Sequence, residues 1–460
     1  MCNFKAWKDT GTIRMAPITL FFGTNSSGKS SIGHFLMMLK QTTESPDRRA
    51  VLYPGGRNTA VHLGSYQEMV YGRDPVRKIA FEYRWALRSP LKLRDPLSGN
   101  VYSGDQISFQ AEVGPSAKDQ RTLAVEYLTY RLWQGDAMRL AIGMERAGAK
   151  DEYKVSAESY DLRRGKGRPW NPGSPIRFYG FPEEVLSYYQ NAGFVTDLNL
   201  QHELLFRSIT YLGPLRTKPE RLYSWTGIEP ESVGYAGENT VAAFLAARGR
   251  EISLGYRKRA KLFEEIIALT LQEMGLIDDF KISPISEQRQ EYEVKVRVSP
   301  TMEWVDLPDV GFGVSQVLPV LVQVFCAPPG TIIIMEQPEI HLHPSAQAAL
   351  ADVMINVIRS RENGADRNIQ LIIESHSEHF LRRLQRRIAE EESLHEEVAA
   401  YVVHAGSRAP KLEALEIDEY GNILNWPTNF FGDQMGEITG QAEAALNKRL
   451  RRRPTRGSGE

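Results

Sequence analysis

The sequence predicts an α/β protein in which a parallel sheet is covered by helices and joined to an antiparallel β meander. Three apolar runs, ITLFF at 18–22, TIIIM at 331–335 and IQLIIE at 369–374, are each followed by a segment with helical spacing of apolar residues. Near-continuous apolar character is typical of parallel strands that helices bury on both faces. Residues 76–165 instead alternate apolar and polar residues between turn-rich stretches, which is the pattern of an antiparallel meander.

Helices are predicted where apolar residues recur every three or four positions. Such spacing occurs at 30–42 and 345–361, and helical patterns are also present within 182–206 and 237–275. A short β pair is expected within 280–298. The two halves of the predicted parallel sheet therefore lie far apart in the sequence, with an elaborated insert between them.

This order of elements divides the chain into four parts. Residues 1–165 form an N-terminal lobe, 166–300 a mainly helical insert that contains the β pair, 301–440 a C-terminal lobe, and 441–460 a basic flexible tail. The stretch 163–175, rich in glycine, proline and charge, marks the first boundary.

Composition and charge exclude several functional classes. The 460 residues include 56 Lys and Arg against 57 Asp and Glu, so the net charge is -1 and no global basic field is present to hold nucleic acid. The two cysteines cannot form a disulfide framework, and no apolar stretch is long enough to cross a bilayer. We therefore expect a cytoplasmic protein that contacts membranes only through a partner.

The segment GTNSSGKS at 23–30 fits the phosphate-loop pattern G-x-x-x-x-G-K-[ST] in full, after a predicted strand and at the start of a predicted helix. Its two glycines allow backbone amides to turn toward an anion, and the helix N-terminus adds unpaired N–H groups and a favourable dipole. Lys29 is expected to reach the β and γ phosphates, and the Ser30 hydroxyl to bind Mg²⁺. The residues predicted to contact the nucleotide are Gly23, Asn25, Ser26, Ser27, Gly28, Lys29, Ser30 and Ser31.

An acidic site on a neighbouring strand should complete such a loop by holding the metal ion. Glu336 ends an apolar run, at the carboxyl end of a parallel strand, where sheets of this type bind ligands. Gln337 and Glu339 follow at once, and His376 lies just beyond the next strand. A second anion-binding helix N-terminus is predicted upstream, in a glycine loop that contains Gly311, Gly313 and Ser315.

The order of these motifs resembles the split nucleotide-binding head of ABC-type P-loop ATPases, in its SMC-like branch. The Asn of GTNSSGKS, and HLHP after the acidic strand, are similar to the overcoming-lysogenization-defect (OLD) family. Bacterial Septu-type defence ATPases are similar in the segments GFGVSQVLPVL, EQPEIHLHP, ESHSEH and NWPTNFF. The resemblance covers both ends of the chain, and it implies an α/β head with a mixed, mostly parallel sheet flanked by helices, an antiparallel β meander and a helical insert.

The resemblance also implies residue roles. Two heads would dimerise face to face around two ATP molecules with Mg²⁺, and the 311–315 loop of one head would contact the γ phosphate held by the other. Glu336 would be the metal-site acid and His376 the switch histidine. Gln67 would be the loop glutamine that senses Mg²⁺, for which an exposed surface turn is the alternative interpretation.

One departure from the family pattern concerns hydrolysis. Gln337 occupies the position that usually holds the catalytic Glu, and an amide can orient the attacking water but cannot accept its proton. Glu339, two residues further on, is the alternative base. We therefore expect slow turnover, with ATP acting more as a clamp than as fuel.

The function that the resemblance implies is that of a homodimeric or larger homo-oligomeric ATPase, the sensor or clamp of an antiphage defence system. Only about eighty residues follow ESHSEH, which is short for the nuclease domain of some relatives. A separately encoded effector such as a nuclease is therefore the expected partner. The alternatives are a non-hydrolysing, ATP-gated scaffold on nucleic acid, a transporter ATPase subunit and an autonomous nuclease.

Two further features of the sequence each allow more than one interpretation. The basic runs at 382–387 and 448–453 are consistent either with solvated surface and tail or with contacts to DNA or RNA phosphates. Arg216, in the segment YLGPLRTKPERLY, either belongs to a structural loop or approaches the nucleotide or the opposite head of a dimer.

Overall fold

The computed structural model describes residues 1–451 except 117–118, 120–121, 149–151, 168–169, 287–288, 392, 407–408, 429 and 433. Its strands are β1 (Cys2–Phe4), β2 (Trp7–Asp9), β3 (Ile18–Gly23), β4 (Ile79–Arg94), β5 (Val101–Pro115), β6 (Leu123–Gln134), β7 (Ala137–Arg146), β8 (Tyr153–Glu158), β9 (Ile209–Leu212), β10 (Tyr223–Ser224), β11 (Glu251–Ser253), β12 (Lys261–Leu262), β13 (Asp279–Pro284), β14 (Glu291–Arg297), β15 (Val305–Asp306), β16 (Ile332–Glu336), β17 (Arg361–Glu362), β18 (Ala365–Asp366), β19 (Gln370–Glu374), β20 (Val398–His404) and β21 (Lys411–Ala414). Its α-helices are α1 (Ser30–Glu44), α2 (Tyr66–Met69), α3 (Glu183–Tyr188), α4 (Val195–Arg207), α5 (Thr240–Ala247), α6 (Phe263–Glu273), α7 (Phe312–Cys326), α8 (Pro344–Ile358), α9 (Glu378–Glu390) and α10 (Gln434–Arg451).

The phosphate-loop strand β3 lies inside a mostly parallel sheet. The strand order is β21-β20-β3-β19-β16-β9, in which β20 to β9 run parallel and β21 pairs antiparallel with β20 at the edge. Glu336 at the end of β16 lies opposite Glu374 at the end of β19, which in turn lies opposite Phe21 of β3. The carboxyl ends of these strands therefore meet along one side of the sheet, which we call the carboxyl edge.

Both faces of this sheet are buried, which explains the continuous apolar runs. On β3, Leu20 and Phe22 point into one hydrophobic core, whereas Phe21 points into another. Successive side chains of a strand point to opposite faces, so each strand supplies two cores. Helices α5 to α9 contribute to the first core, and α1 and α4 to the second. The α/β class expected from the sequence, with a mostly parallel sheet flanked by helices, is confirmed.

The antiparallel meander expected at 76–165 is also confirmed. Strands β4 to β8 each pair with their neighbours in chain order, and β1 and β2 extend this sheet beside β4. Buried Phe81, Phe109 and Tyr130 of the meander belong to the same core as α1. The meander therefore packs on the face of the parallel sheet that α1 covers.

The region expected as an insert, 166–300, is not separate from the head. Its segment Ile209–Leu212 is β9, which pairs in parallel with β16, and α4 contacts both α1 and β9. The expected β pair is present as β13 and β14, and α5 and α6 lie within 237–275. The head sheet thus takes one strand from the middle of the chain.

The C-terminal part differs from the predicted flexible tail. Residues 441–451 continue α10, and 452–460 lie outside the described residues. Before α10, Phe430 and Phe431 pack edge-on against Phe22 of β3, with ring centroids 5.7 and 5.9 Å from it. These aromatic side chains therefore pack against the strand that leads into the phosphate loop. Within the described ranges, no helix is both long and apolar enough to span a membrane.

Candidate nucleotide-binding site

The phosphate loop connects β3 to α1 and contains three residues with positive φ. These are Gly23, Ser26 and Gly28, with φ of 142°, 61° and 102°. A Cβ on Gly23 would lie 2.4 Å from the carbonyl oxygen of Val403 on β20, a contact that no side chain tolerates. The loop therefore needs glycine at 23 both for its backbone conformation and for close packing on the neighbouring strand.

Lys29 is folded back into this loop. Its side chain is almost fully buried, and Nζ donates to the carbonyl oxygens of Gly23 at 3.1 Å and Thr24 at 2.8 Å. Nζ also lies 3.7 Å from Oε1 of Glu374. Burial lowers the pKa of Lys29, while the charges of Glu374 and Glu336 raise it. The ammonium group is thus held at the place where a phosphate would lie.

Glu336 closes the site from the strand next to β19. Its Oε1 accepts a hydrogen bond from the Tyr211 hydroxyl at 2.8 Å and lies 2.9 Å from Nε2 of His34 on α1. Burial raises the pKa of Tyr211, and the Glu336 charge raises it further, so the hydroxyl keeps its proton. Two side chains thereby fix the orientation of this carboxylate.

Glu374 is a second carboxylate at this edge, mostly buried, that the sequence motifs did not single out. Burial raises its pKa, as does the charge of Glu336, whereas a Ser30 hydrogen bond and Lys29 lower it. Its Oε2 is buried without a hydrogen-bond partner among the described residues. The signal was present in the sequence, because Glu374 ends an apolar strand in the same way as Glu336.

The donor set at this edge fits the magnesium ion that a nucleotide brings. Mg²⁺ prefers oxygen ligands and is commonly held by one or two carboxylates together with phosphate oxygens. Ser30, Glu336 and Glu374 offer a hydroxyl and two carboxylates next to the loop, and the free Oε2 of Glu374 is one such oxygen. These residues could therefore hold the ion.

Gln337, Glu339 and His376 lie in the two loops that follow β16 and β19. Gln337 adopts a left-handed backbone conformation, with φ of 46°, and its N–H donates to the carbonyl oxygen of Glu374 at 2.8 Å. Glu339 Oε1 accepts from the Ser375 hydroxyl at 2.8 Å and from the His376 N–H at 2.7 Å. These bonds join the two loops into one surface at the carboxyl edge.

The pKa values of Glu339 and His376 are both shifted in the direction that favours the neutral form. Burial raises the pKa of Glu339, against the effect of its hydrogen bonds and of the Arg216 charge. Burial lowers the pKa of His376, and the Lys29 charge lowers it further.

The 311–315 loop lies beside this surface, but the hydroxyl of its serine is not accessible there. Helix α7 begins at Phe312, whose side chain is 64% exposed and lies 5.9 Å from the His341 ring. Gly311 is exposed before the helix. Ser315 is 7% exposed, and its hydroxyl donates to the Phe312 carbonyl oxygen at 2.9 Å. This conformation therefore offers the helix N-terminus, not the Ser315 hydroxyl, to a partner.

The remaining loop residues divide between surface and interior. Asn25 and Ser26 are exposed at the loop tip, whereas Ser31 is buried at the start of α1. Ser27 is buried and its Oγ has no hydrogen-bond partner in the described part of the chain. Gln67 is exposed on the short helix α2, which corresponds to the surface interpretation of that residue.

The basic run at 382–387 lies on α9, and its arginines have acidic partners. Arg382 pairs with Glu378, and Arg386 with Glu390, each one helical turn away. Two others, Arg383 and Arg387, contact Asp352 of α8. These pairs offset much of the positive charge that the sequence alone suggests for this face.

A family model described as "AAA domain, putative AbiEii toxin, Type IV TA system" matches residues 18–382, which include the phosphate loop, both carboxylates and His376. This chain belongs to that AAA family. A second family model, described as a protein of unknown function (DUF3696), matches 395–441 of this AAA protein. No curated protein matches it.

Solved structures similar to this AAA protein include SMC heads. A SmcHead bound to the C-winged helix domain of ScpA is 9% identical, with a TM-score of 0.41, over 91% of this chain and 96% of that one. The SMC head domain from Thermotoga maritima is 11% identical, with a TM-score of 0.35, over 90% and 98%. The Smc head with an extended coiled coil, bound to the C-terminal domain of ScpA from Pyrococcus furiosus, is 8% identical, with a TM-score of 0.38, over 96% and 98%.

Family membership and site geometry agree on the basic activity. The phosphate loop, Lys29 and the two carboxylates lie at the carboxyl edge of a parallel sheet, where such folds bind nucleotides. This AAA protein is therefore an ATP-binding ATPase of the P-loop class.

Proposed function

We propose that this chain is a sensor or clamp ATPase of the OLD and Septu-type defence kind. In this proposal it dimerises around ATP and Mg²⁺ and acts through a separately encoded effector such as a nuclease. The observation that carries the proposal is the convergence of Lys29, Glu336 and Glu374 at the carboxyl edge. A cation inside a phosphate loop, opposite two buried carboxylates, suits a triphosphate with a divalent ion.

The side chains at the site have distinct tasks in nucleotide binding. The amides of the 23–30 loop bind the phosphates, and Lys29 exchanges its bonds to two loop carbonyls for bonds to phosphate oxygens. Ser30, Glu336 and Glu374 hold the metal ion. When bound, Mg²⁺ neutralises charge on the transferring phosphate and orients it.

Slow hydrolysis is part of the proposal. Gln337 can orient water near the terminal phosphate but cannot accept its proton, because its amide has no basic oxygen. Glu339 is buried, and one of its oxygens is already bonded to the loop that carries His376. A bound triphosphate would therefore persist and hold a closed state.

Dimerisation is proposed to use the N-terminus of α7. The first N–H groups of a helix have no partner within the helix, and they favour an anion such as a phosphate. Exposed Gly311 and Phe312 lie at this helix start, at the carboxyl edge, where an opposite subunit could meet the bound nucleotide. Because the Ser315 hydroxyl is bonded inside its own helix, the backbone amides carry this contact.

The experiment measures the mass of the protein in solution by light scattering with no nucleotide, with Mg²⁺ and ADP, and with Mg²⁺ and a non-hydrolysable ATP analogue. The wild type is expected to dimerise only with the analogue. Lys29→Ala should remain monomeric, because the loss of its charged bonds weakens phosphate binding roughly 10- to 100-fold. Lys8→Ala, at an exposed position on β2, is the matched control and should dimerise normally. Nucleotide-dependent dimers of Lys29→Ala, or a wild type that ignores nucleotide, would contradict the proposal.

A further inference from the structure

Arg216 lies in a short loop that leaves β9 at the carboxyl edge. The loop is fixed at both ends, since the Gly213 N–H donates to the Tyr235 carbonyl oxygen and the Thr217 N–H to the Ala236 carbonyl oxygen, both at 2.8 Å. The position of Arg216 is therefore set by backbone hydrogen bonds that do not involve its own side chain.

The guanidinium group of Arg216 has no hydrogen-bond partner among the described residues. Its Nε, Nη1 and Nη2 atoms are all buried, and none makes a hydrogen bond within the part of the chain that the structure describes. Burial lowers the pKa of Arg216 to about 10, so the group is still charged at neutral pH. A buried charge that lacks hydrogen bonds is unfavourable, and native structures contain few of them.

Other unpaired polar atoms lie at the same edge of the sheet. They are Oε2 of Glu339, Oε2 of Glu374 and Oγ of Ser27. The charges of Glu339 and Arg216 influence each other, yet the two side chains form no ion pair. An orphaned cation and orphaned oxygens around one phosphate loop indicate that a ligand with both anionic and cationic parts completes the site.

The strand order identifies which part of that ligand Arg216 would meet. Strand β9 lies next to β16, which ends in the metal-site residue Glu336, and two strands further on lies β3 with the phosphate loop. Neighbouring strands are about 4.8 Å apart, so Arg216 lies across the site from the loop. A triphosphate bound in the loop would extend toward the metal site, so its terminal phosphate would be the part nearest to Arg216.

We propose that Arg216 binds the terminal phosphate of the bound nucleotide and so distinguishes ATP from ADP. This inference rests on the proposed function, because it requires the nucleotide to occupy the loop. The planar guanidinium can donate two parallel hydrogen bonds to one phosphate, which gives both strength and directional selectivity. Arg216 is thus the residue that reports the presence of the third phosphate to the 213–217 loop.

The test compares the dissociation constants of a non-hydrolysable ATP analogue and of ADP, both with Mg²⁺, by titration calorimetry. Arg216→Met is expected to weaken binding of the analogue roughly 10- to 100-fold, while ADP binding changes less than about twofold. Arg216→Lys should lose part of the preference for the analogue, because an ammonium group keeps the charge but not the two-pronged geometry. Lys218→Ala, at an exposed position in the same segment, is the control and should change neither constant.

A stability measurement separates this role from a structural one. Because the Arg216 guanidinium makes no hydrogen bond to any described residue, Arg216→Met should leave the melting temperature of the ligand-free protein unchanged or raise it, and should reduce only the increase that the analogue produces. Equal weakening of analogue and ADP, no weakening of either, or a lower ligand-free melting temperature would overturn the inference. A wild type that binds neither nucleotide would instead overturn the proposed function itself.

Discussion

Two arginines with buried guanidinium groups, one at each end of the parallel strands, differ in how their charge is satisfied. Arg367 lies just before β19, and it donates to the carbonyl oxygens of Phe325 and Ala327 at the end of α7 and to Oγ of Ser360. Arg216 lies beyond β9 at the carboxyl edge and donates to no described residue. Burial lowers the pKa of both arginines to about 10, so both remain charged.

The difference shows which edge of the sheet is built for structure and which for a ligand. The carbonyl groups at a helix end have no partner within the helix, and a cation there is favoured by the helix dipole. Arg367 supplies that partner and so connects the end of α7 to the segment that leads into β19. At the carboxyl edge, side-chain atoms of Arg216, Glu339 and Glu374 have no hydrogen-bond partner among the described residues. This lowers the stability of the ligand-free protein but leaves these atoms available to a ligand.

The largest expected effect is a loss of stability when Arg367 is replaced. Arg367→Met should lower the free energy of unfolding by about 3 kcal/mol or more, because several buried carbonyl oxygens would lose their hydrogen bonds. Urea denaturation of the ligand-free protein measures the change. The matched variant Arg216→Met should differ from the wild type by less than about 0.5 kcal/mol or be more stable. Similar losses in both variants would remove the distinction between the two edges.

A smaller effect, on the rate of ATP hydrolysis, is expected when a substitution introduces a general base at the carboxyl edge. Gln337→Glu should raise the steady-state rate of ATP hydrolysis roughly 100-fold, about 2.7 kcal/mol, because a carboxylate can accept the proton of the attacking water. Release of inorganic phosphate from excess ATP with Mg²⁺ measures the rate. An unchanged rate would mean that Gln337 does not face the attacking water, and that this edge serves binding alone.

The smallest expected effect is a dependence of stability on pH. Burial raises the pKa of Glu339 above its ordinary value of 4.5. A carboxyl whose pKa is higher in the folded state stabilises the fold while it is protonated, and this contribution is lost as the pH rises through the folded-state pKa. From about pH 4.5 upward, the wild type should therefore lose stability relative to Glu339→Gln, by on the order of 1 kcal/mol.

Urea denaturation of both proteins between pH 4.5 and 8 measures this difference. Glu273→Gln, on the exposed side of α6, controls for the change in net charge. A gap that stays constant over this range would show that folding does not shift the pKa of Glu339, and a gap that moves in favour of the wild type would show that the ligand-free protein stabilises the ionised form. Either result would contradict the prediction.

Local sequence patterns were sufficient to predict strand β3, the phosphate loop and the metal-site residue Glu336. The 18–22 run predicts β3 because both of its faces are buried, and the 23–30 motif depends on glycine positions that sequence alone reveals. Glu336 was found for the same reason, since it ends an apolar run. Contacts within one strand, turn and helix are encoded locally, so they can be read without the rest of the fold.

The features that escaped prediction depend on distant partners. Strand β9 has only four residues, and its place in the head sheet follows from pairing with β16, more than a hundred residues later. The internal bond of Ser315 and the absence of partners for Arg216 are properties of the packed protein. For the same reason the sequence does not reveal that Arg383 and Arg387 of α9 both contact Asp352 of another helix.

The position of β3 between β19 and β20 has a consequence for biosynthesis. Ile18 faces Leu371 on one side and Val398 on the other, so both neighbours of this strand are translated hundreds of residues after it. At about 5–20 residues per second, the strand waits roughly 20–70 s for them. The nascent chain thus carries an unpaired, strongly apolar segment until β19 and β20 have been synthesised, and it becomes competent to capture nucleotide only after both strands have emerged from the ribosome.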